Sequence, residues 1–305
     1  LMGTMGVVYT RLGLYQAALP LLQEALDARR QRLGDEDERV AESQNDLGLA
    51  LLKMADYEHT ERELRAALDL RQRLLGEDPL TAQSQNDLAM VLSELGRWSE
   101  AVELARASLE LRRKLLGRHP AVAESLETLA YARGGLHESE GVEELLREAL
   151  ELRTELFGTH PATAESLSNL GTFLYEHGNQ AKAVPMFRQS LEMKLVVFGA
   201  VHPEVAMGMN NLAYALHDTG DLDGAEELFR SAVEQQRQLL GEAHPDLAQG
   251  LNNLAFVLHD RGDYEGARAC FFEAVSVYRR ALGDEHERVQ RGIDTVKGFV
   301  TDALQ

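Results

Sequence analysis

A glycine that follows an apolar residue returns seven times in this chain, at Gly34, Gly76, Gly117, Gly158, Gly199, Gly241 and Gly283. The successive spacings are 42, 41, 41, 41, 42 and 42 residues. A period of this size, kept through essentially the whole sequence, restricts the fold to architectures that stack one supersecondary unit on the next. Other columns keep step with the glycine. Leu47, Leu88, Leu129, Leu170, Leu212 and Leu254 form one, with Met5 in the first unit, and the next residue is always Gly or Ala. Small residues recur at Ala18, Thr60, Ala101, Val142, Ala183, Ala225 and Ala267, and seven positions later at Ala25, Ala67, Ser108, Ala149, Ser190, Ala232 and Ala274. Small side chains at fixed helical positions let two helices approach closely, while Phe187, Phe229 and Phe271 fill the space beside them.

Each unit carries two helical patterns. In the sixth, Met209, Leu212 and Leu216 are spaced for one helix face, and Gly220-Asp221 breaks the pattern. Ala225, Leu228, Phe229, Ala232 and Val233 then resume it. Gly220 fits the left-handed residue that ends a helix, as do Gly13, Gly96, Gly178 and Gly262 in their units. The Leu-Gly or Phe-Gly pair is the second stop. Asp78-Pro79, His119-Pro120, His160-Pro161, His202-Pro203 and His244-Pro245 follow it, and proline suits the first turn of the next helix. The histidines there are expected to bond backbone at the helix starts. A helix pair of this length cannot bury its apolar face alone, so stacked pairs must share one core.

The expected fold is therefore all-α: a right-handed α-solenoid of seven antiparallel helix-pair repeats with a C-terminal capping helix, in a single domain over 1–305. The repeat units fall at approximately 1–36, 37–78, 79–119, 120–160, 161–202, 203–244 and 245–286, with the cap at 287–303. Val289, Ile293, Val296 and Val300 give the cap an apolar face, and Arg291, Asp294 and Lys297 lie elsewhere on it. Two irregularities stand out. Arg133-Gly134-Gly135 places a cation and paired glycines inside the first helix of the fourth unit, so that helix is expected to end early, unless the unit has simply drifted. Residue 1 already falls inside a helix, which reads as a piece of a longer protein.

Bulk properties narrow the function. The 305 residues are 44% hydrophobic and 27% charged, enough for a packed core. The net charge of −19 opposes binding to nucleic acid or anionic lipid and favours basic partners. No segment approaches the ~20 apolar residues of a membrane helix, and no signal-peptide pattern opens the chain. A single cysteine, Cys270, suits a reducing compartment, and the expected location is cytoplasmic.

The columns resemble the tetratricopeptide repeat: Leu-Gly/Ala, then Gly-x-aromatic as in Gly96-Arg97-Trp98 and Gly262-Asp263-Tyr264, then two alanines. The longer period, the strings Leu116-Gly117-Arg118-His119-Pro120 and Asn210-Asn211-Leu212-Ala213, and Ala149-Leu150-Glu151-Leu152-Arg153 are similar to the kinesin-light-chain subclass, which also occurs in bacterial signalling proteins. The resemblance implies that the first helix of each pair lines a concave groove. It also implies that Asn169, Asn211 and Asn253 there grip the backbone of a ligand, since an amide both donates and accepts. Asp46 and Asp87 hold the same column and favour donors. The alternative is that these polar groups bond neighbouring helices. Three positions on, Tyr214 and Phe256 can stack on ligand side chains or cations, or pack between helices. Seven positions beyond the column lie Glu176, Asp218 and Asp260, and Glu42, Glu124 and Glu165 precede it, so the groove is expected to be mostly acidic.

Nothing points to catalysis. There is no phosphate loop or nucleophile elbow. Cys270 beside Phe271 and Phe272 reads as a buried small hydrophobe. His217-Asp218 and His259-Asp260 look like paired metal ligands, but they stand one repeat apart, and the expectation is no metal and no cofactor. The expected function is a protein-interaction scaffold, not an enzyme, binding a peptide or protein segment, basic in character, in the groove. The alternative is a regulatory or sensor segment of a larger signalling protein docking on its own catalytic domain. Self-association is a further option, through apolar residues of the first repeat such as Leu1, Met2 and Met5.

Overall fold

The computed structural model describes residues 2–302, with side chains described as far as residue 294. Among the described residues the chain is all-helical. First helices of the pairs are α1 (Met2–Arg11), α3 (Glu38–Leu52), α5 (Pro79–Glu94), α7 (Pro120–Gly135), α9 (Pro161–Glu176), α11 (Pro203–Asp218) and α13 (Pro245–Asp260). Second helices are α2 (Tyr15–Leu33), α4 (Tyr57–Leu75), α6 (Trp98–Leu116), α8 (Val142–Phe157), α10 (Gln180–Phe198), α12 (Leu222–Leu240) and α14 (Tyr264–Leu282), and α15 (Glu287–Asp302) follows. This is an all-α repeat solenoid. It divides into two compact units, Leu1–Leu156 and Phe157–Gln305.

The boundaries have local causes. The five prolines Pro79, Pro120, Pro161, Pro203 and Pro245 each open a helix. The residue before each one caps it by accepting from the backbone N–H two positions on. Asp78 does this at 2.9 Å, and His119, His160, His202 and His244 do it through Nδ1 at 3.1, 3.1, 3.1 and 3.2 Å. An imidazole can accept at Nδ1 only when neutral, so these caps require the uncharged ring. The second helices end on glycines with positive φ, between 60° at Gly158 and 86° at Gly283. At the end of the first helices the same left-handed place is held in two units by residues with a Cβ, Ala55 at φ 58° and His137 at φ 59°.

In the first unit, Leu64, Leu88, Leu92, Leu126 and Ala149 share one apolar cluster, and Leu22, Leu26, Ala41 and Leu47 another. In the second, Leu247, Leu251, Phe271, Val275 and Tyr278 pack with Val289 of α15, and Cys270 and Ile293 lie against them. Cys270 is half-buried, and burial pushes its thiol up. The small-residue columns are the contact points. Ala18, Thr60, Ala101, Ala183 and Ala225 are fully buried, and a methyl added at Gly171 would lie 2.7 Å from the Phe187 ring. Ala225→Leu is therefore expected to overpack α11 against α12 and cost about 1–3 kcal/mol. Thermal unfolding with no loss in that variant would refute the assigned helix contact.

The fourth pair corrects an expectation. α7 does not end early: it runs through Gly135 and matches α5, α9, α11 and α13 at 16 residues. The irregularity falls on the next element. α8 has 16 residues where α4, α6, α10, α12 and α14 have 19, and a longer connection, 136–141, precedes it. Gly135 is small because Trp98 lies on it: a Cβ there would stand 2.2 Å from the indole. Arg133 turns outward to pair with Glu138 at 2.9 Å. Leu1, Ala303 and the side chains of Val296, Lys297 and Val300 lie outside the described residues.

Candidate functional site

In the unit Phe157–Gln305 the first helices α9, α11 and α13 carry the expected columns one helix apart. Side chains at their C-terminal ends join them. The Tyr175 hydroxyl donates to Asp218 Oδ2 at 2.6 Å, and His217 Nε2 meets Asp260 Oδ2 at 2.8 Å. His217 Nδ1 lies 3.2 Å from Asp218, and His259 Nδ1 lies 3.3 Å from Asp260. Burial, then the carboxylate acceptor, pushes the Tyr175 hydroxyl up to about 12. The hydrogen bond from His217 holds Asp260 below its ordinary value. Stacking at the repeat spacing brings His217 of one His-Asp pair onto Asp260 of the other. Among the described residues no three His, Cys, Asp or Glu side chains are placed to hold a metal ion.

The asparagines differ. Asn253 is buried, accepts from Gln249 Nε2 at 3.0 Å, and lies beside the Tyr214 hydroxyl. Tyr278 donates to the same Gln249 at 3.3 Å, so Asn253 is held in a polar web. Asn211 is half-buried, and its amide makes no side-chain hydrogen bond among the described residues. Asn169 is half-buried and already has a partner. Tyr214 and Phe256 are exposed at 38% and 47%, yet each stands edge-on against a buried ring, Phe229 at 5.3 Å and Phe271 at 5.2 Å. Each aromatic is thus propped by the core and open on its outer side. Glu176 is exposed.

In the unit Leu1–Leu156 the same column holds Asp46 and Asp87, both half-buried. Burial pushes each carboxyl up to about 6, Glu42 adding to the rise at Asp46. Asp87 accepts from Asn45 Nδ2 at 3.1 Å, a bond between successive first helices. Here a buried cation also faces this column from the second helices, beside the carboxylates. Arg71 reaches Leu80 O at 3.2 Å and Ser84 Oγ at 2.8 Å. Arg112 reaches Ala121 O at 2.7 Å and Ser125 Oγ at 3.0 Å. Arg153 pairs with Glu127 at 2.6 Å. These residues, with Arg29 and Lys194, stand five positions before Gly34, Gly76, Gly117, Gly158 and Gly199. That spacing was legible as a column of cations, but not as buried, since a lone Arg on a helix normally faces water. Met90 and Tyr131 are exposed, and Met5 of α1 is exposed too.

The raised Asp87 gives a pH prediction. A carboxyl with a folded-state value near 6 and an unfolded value near 3.8 favours the native state least when ionised in both. Its penalty begins as pH rises past about 4 and is complete above about 6. Asp87→Asn should therefore stabilise the fold by about 1–3 kcal/mol at pH 8 and by almost nothing at pH 4. Urea unfolding at both pH values checks it. An equal effect at both, or destabilisation at pH 8, would refute the burial penalty.

A family model described as Tetratricopeptide repeat matches residues 1–73, 49–114, 80–155, 135–195 and 204–280. No curated protein sequence matches the chain. Among solved structures, BtubC (BKLC) from P. vanneervenii is similar with a TM-score of 0.67 at 23% identity, over 75% of this chain and 93% of that one. A putative kinesin light chain with nearly identical TPR-like repeats from P. anserina is similar at 0.61 and 24% identity, over 67% and 98%. A signal transduction ATPase with numerous domains and a tetratricopeptide repeat sensor, from Pyrococcus horikoshii, aligns with 98% of this chain and 44% of its own, at 0.69 and 17% identity. At these identities the likeness is one of fold. No helix among the described residues is long and apolar enough to cross a membrane.

Proposed function

Because the chain belongs to the tetratricopeptide repeat family, we propose that it is a protein-interaction scaffold whose first-helix face in the unit Phe157–Gln305 takes a basic peptide with an aromatic or arginine anchor. The observation that carries the reading is the pair Tyr214 and Phe256. Both stand exposed on the first helices of successive pairs, α11 and α13, and both are braced edge-on by a buried phenylalanine. A braced ring offers contact area with little side-chain entropy left to lose. Asn211, between α9 and α13 in the chain order and without a side-chain partner among the described residues, supplies a donor and an acceptor for a ligand backbone. Glu176, Asp218 and Asp260 favour cations on the same helices, and the net charge of −19 adds a long-range attraction. Asn253 is tied to Gln249 and serves to position Tyr214 rather than to reach a ligand.

The test is a fluorescence-polarisation screen of the whole chain against basic, acidic and aromatic-rich peptides at two salt concentrations. Basic peptides should bind, more weakly at high salt. Phe256→Ala should weaken them about tenfold or more, as expected for an aromatic anchor, and Asn211→Ala less. A preference for acidic peptides would refute the charge argument. Binding that ignores both substitutions would refute the face.

A further inference from the structure

In the unit Leu1–Leu156 two aromatic rings stand together at a place where the repeat departs from its own pattern. Seven positions beyond the polar column of the first helices, the other units carry Arg11, Lys53, Glu94, Glu176, Asp218 and Asp260, whereas α7 carries Gly135. Trp98 opens α6, at a position held by Tyr15, Tyr57, Gln180, Leu222 and Tyr264 in other units. With no side chain at Gly135, the indole lies on the α7 backbone: a Cβ there would stand 2.2 Å from Cδ2 and Cε3 and 2.6 Å from Cε2. This brings Trp98 of the third pair against Tyr131 of the fourth. The ring centroids are 5.8 Å apart and the planes meet at 79°, so the two rings form a corner. A long side chain in place of Gly135 would fill the space the indole needs.

The corner is accessible and carries a negative charge at its rim. Tyr131 is 52% exposed, and Trp98 is half-buried. The Tyr131 hydroxyl donates to Oε1 of Glu94 on α5 at 3.3 Å, and Glu94 is itself exposed. The face of an aromatic ring is the negative end of its quadrupole and attracts cations, most strongly at tryptophan. The chain's own cations beside these rings in sequence are held elsewhere. Arg97, next to Trp98, reaches Glu61 at 2.6 Å and also pairs with Glu100, and Arg133 pairs with Glu138 at 2.9 Å. Both guanidiniums are thus engaged by carboxylates.

The shape of the corner selects the kind of cation. A lysine ammonium is a compact, strongly hydrated charge with three donors, and one carboxylate does not replace the water it would lose. A guanidinium is planar and is best met by a bidentate acceptor or by one stacking face. A trimethylated ammonium has no N–H to satisfy and presents methyl groups on every side. It therefore fits two ring planes at nearly a right angle with a single carboxylate at the rim. We propose that the Trp98–Tyr131 corner binds a methylated ammonium group, carried either by a small quaternary amine or by a methylated lysine of a protein segment. The site lies in the other unit from Tyr214 and Phe256 and does not rest on the peptide face proposed there.

Trp98 is the one tryptophan, so its emission reports on the corner directly. The experiment follows that emission while the whole chain is titrated with choline and, separately, with a short peptide containing trimethyllysine. The controls are the uncharged carbon isostere of choline and the same peptide with unmodified lysine. The expected result is a saturable change with at least one methylated probe and none with the isostere. The unmodified peptide should bind about tenfold more weakly or not at all. Tyr131→Leu should weaken binding about tenfold with little change in melting temperature, because Leu49 and Met90 hold that position in two other units. Glu94→Gln should weaken it several-fold. Saturation by choline identifies a small-molecule site, and a response to the peptide alone identifies a methylated lysine. No saturable response to either methylated probe, equal affinity for the unmodified peptide, or affinity unchanged in Tyr131→Leu would overturn the proposal. Tyr214→Ala with Phe256→Ala should leave binding intact, which separates this site from the face of the other unit.

Discussion

Glu127→Ala is expected to destabilise the unit Leu1–Leu156 by about 3–5 kcal/mol, among the largest effects of any single substitution in this chain. Glu127 on α7 and Arg153 on α8 meet at 2.6 Å with side chains only 12% and 7% exposed. Removing the carboxylate strips a largely buried guanidinium of its charged partner, and breaking a buried ion pair costs several kcal/mol. The pair itself need not be stabilising relative to apolar residues. Replacing both, Glu127→Leu with Arg153→Leu, should recover most of the loss. Trp98, the one tryptophan, lies in the same unit and reports its unfolding in urea. A loss under about 1 kcal/mol in Glu127→Ala would show that the pair is solvated.

The adjacent glycines Gly134 and Gly135 should respond in opposite directions. At Gly135 an added methyl would stand 2.2 Å from the Trp98 indole, whose edge also packs against Tyr131 at 5.8 Å. The ring must move bodily, so Gly135→Ala is expected to cost about 1–3 kcal/mol and to shift Trp98 emission toward the red as the indole meets water. At Gly134 a methyl meets nothing within 4 Å. Gly134→Ala should stabilise the helix by about 0.5–1 kcal/mol through its propensity alone. Equal effects at the two positions would mean that Trp98 does not lie on α7.

These cases show where sequence reading stops. The paired glycines were visible, and their low helix propensity argued for an early end to α7. Propensity is a local preference of about 1 kcal/mol per glycine, whereas the Trp98 contact comes from the preceding repeat and outweighs it. The same holds for the polar columns. Asp46, Asp87, Asn169, Asn211 and Asn253 read as one column of ligand-facing groups, but their neighbours differ. Asp87 is taken by Asn45, Asn253 by Gln249, and Asn211 by no side chain among the described residues.

The sequence alone determined the repeat, the helix pair and the helix ends, because these follow from spacing, from proline at a first turn and from glycine in a left-handed turn. All of those are written within a few residues of where they act. The tertiary structure alone decided which charges are buried, and that His217 reaches Asp260 across one repeat. Each depends on which side chain of the next unit lies opposite. A repeat period brings equivalent positions side by side, but the chemistry of each contact is set by where the units differ.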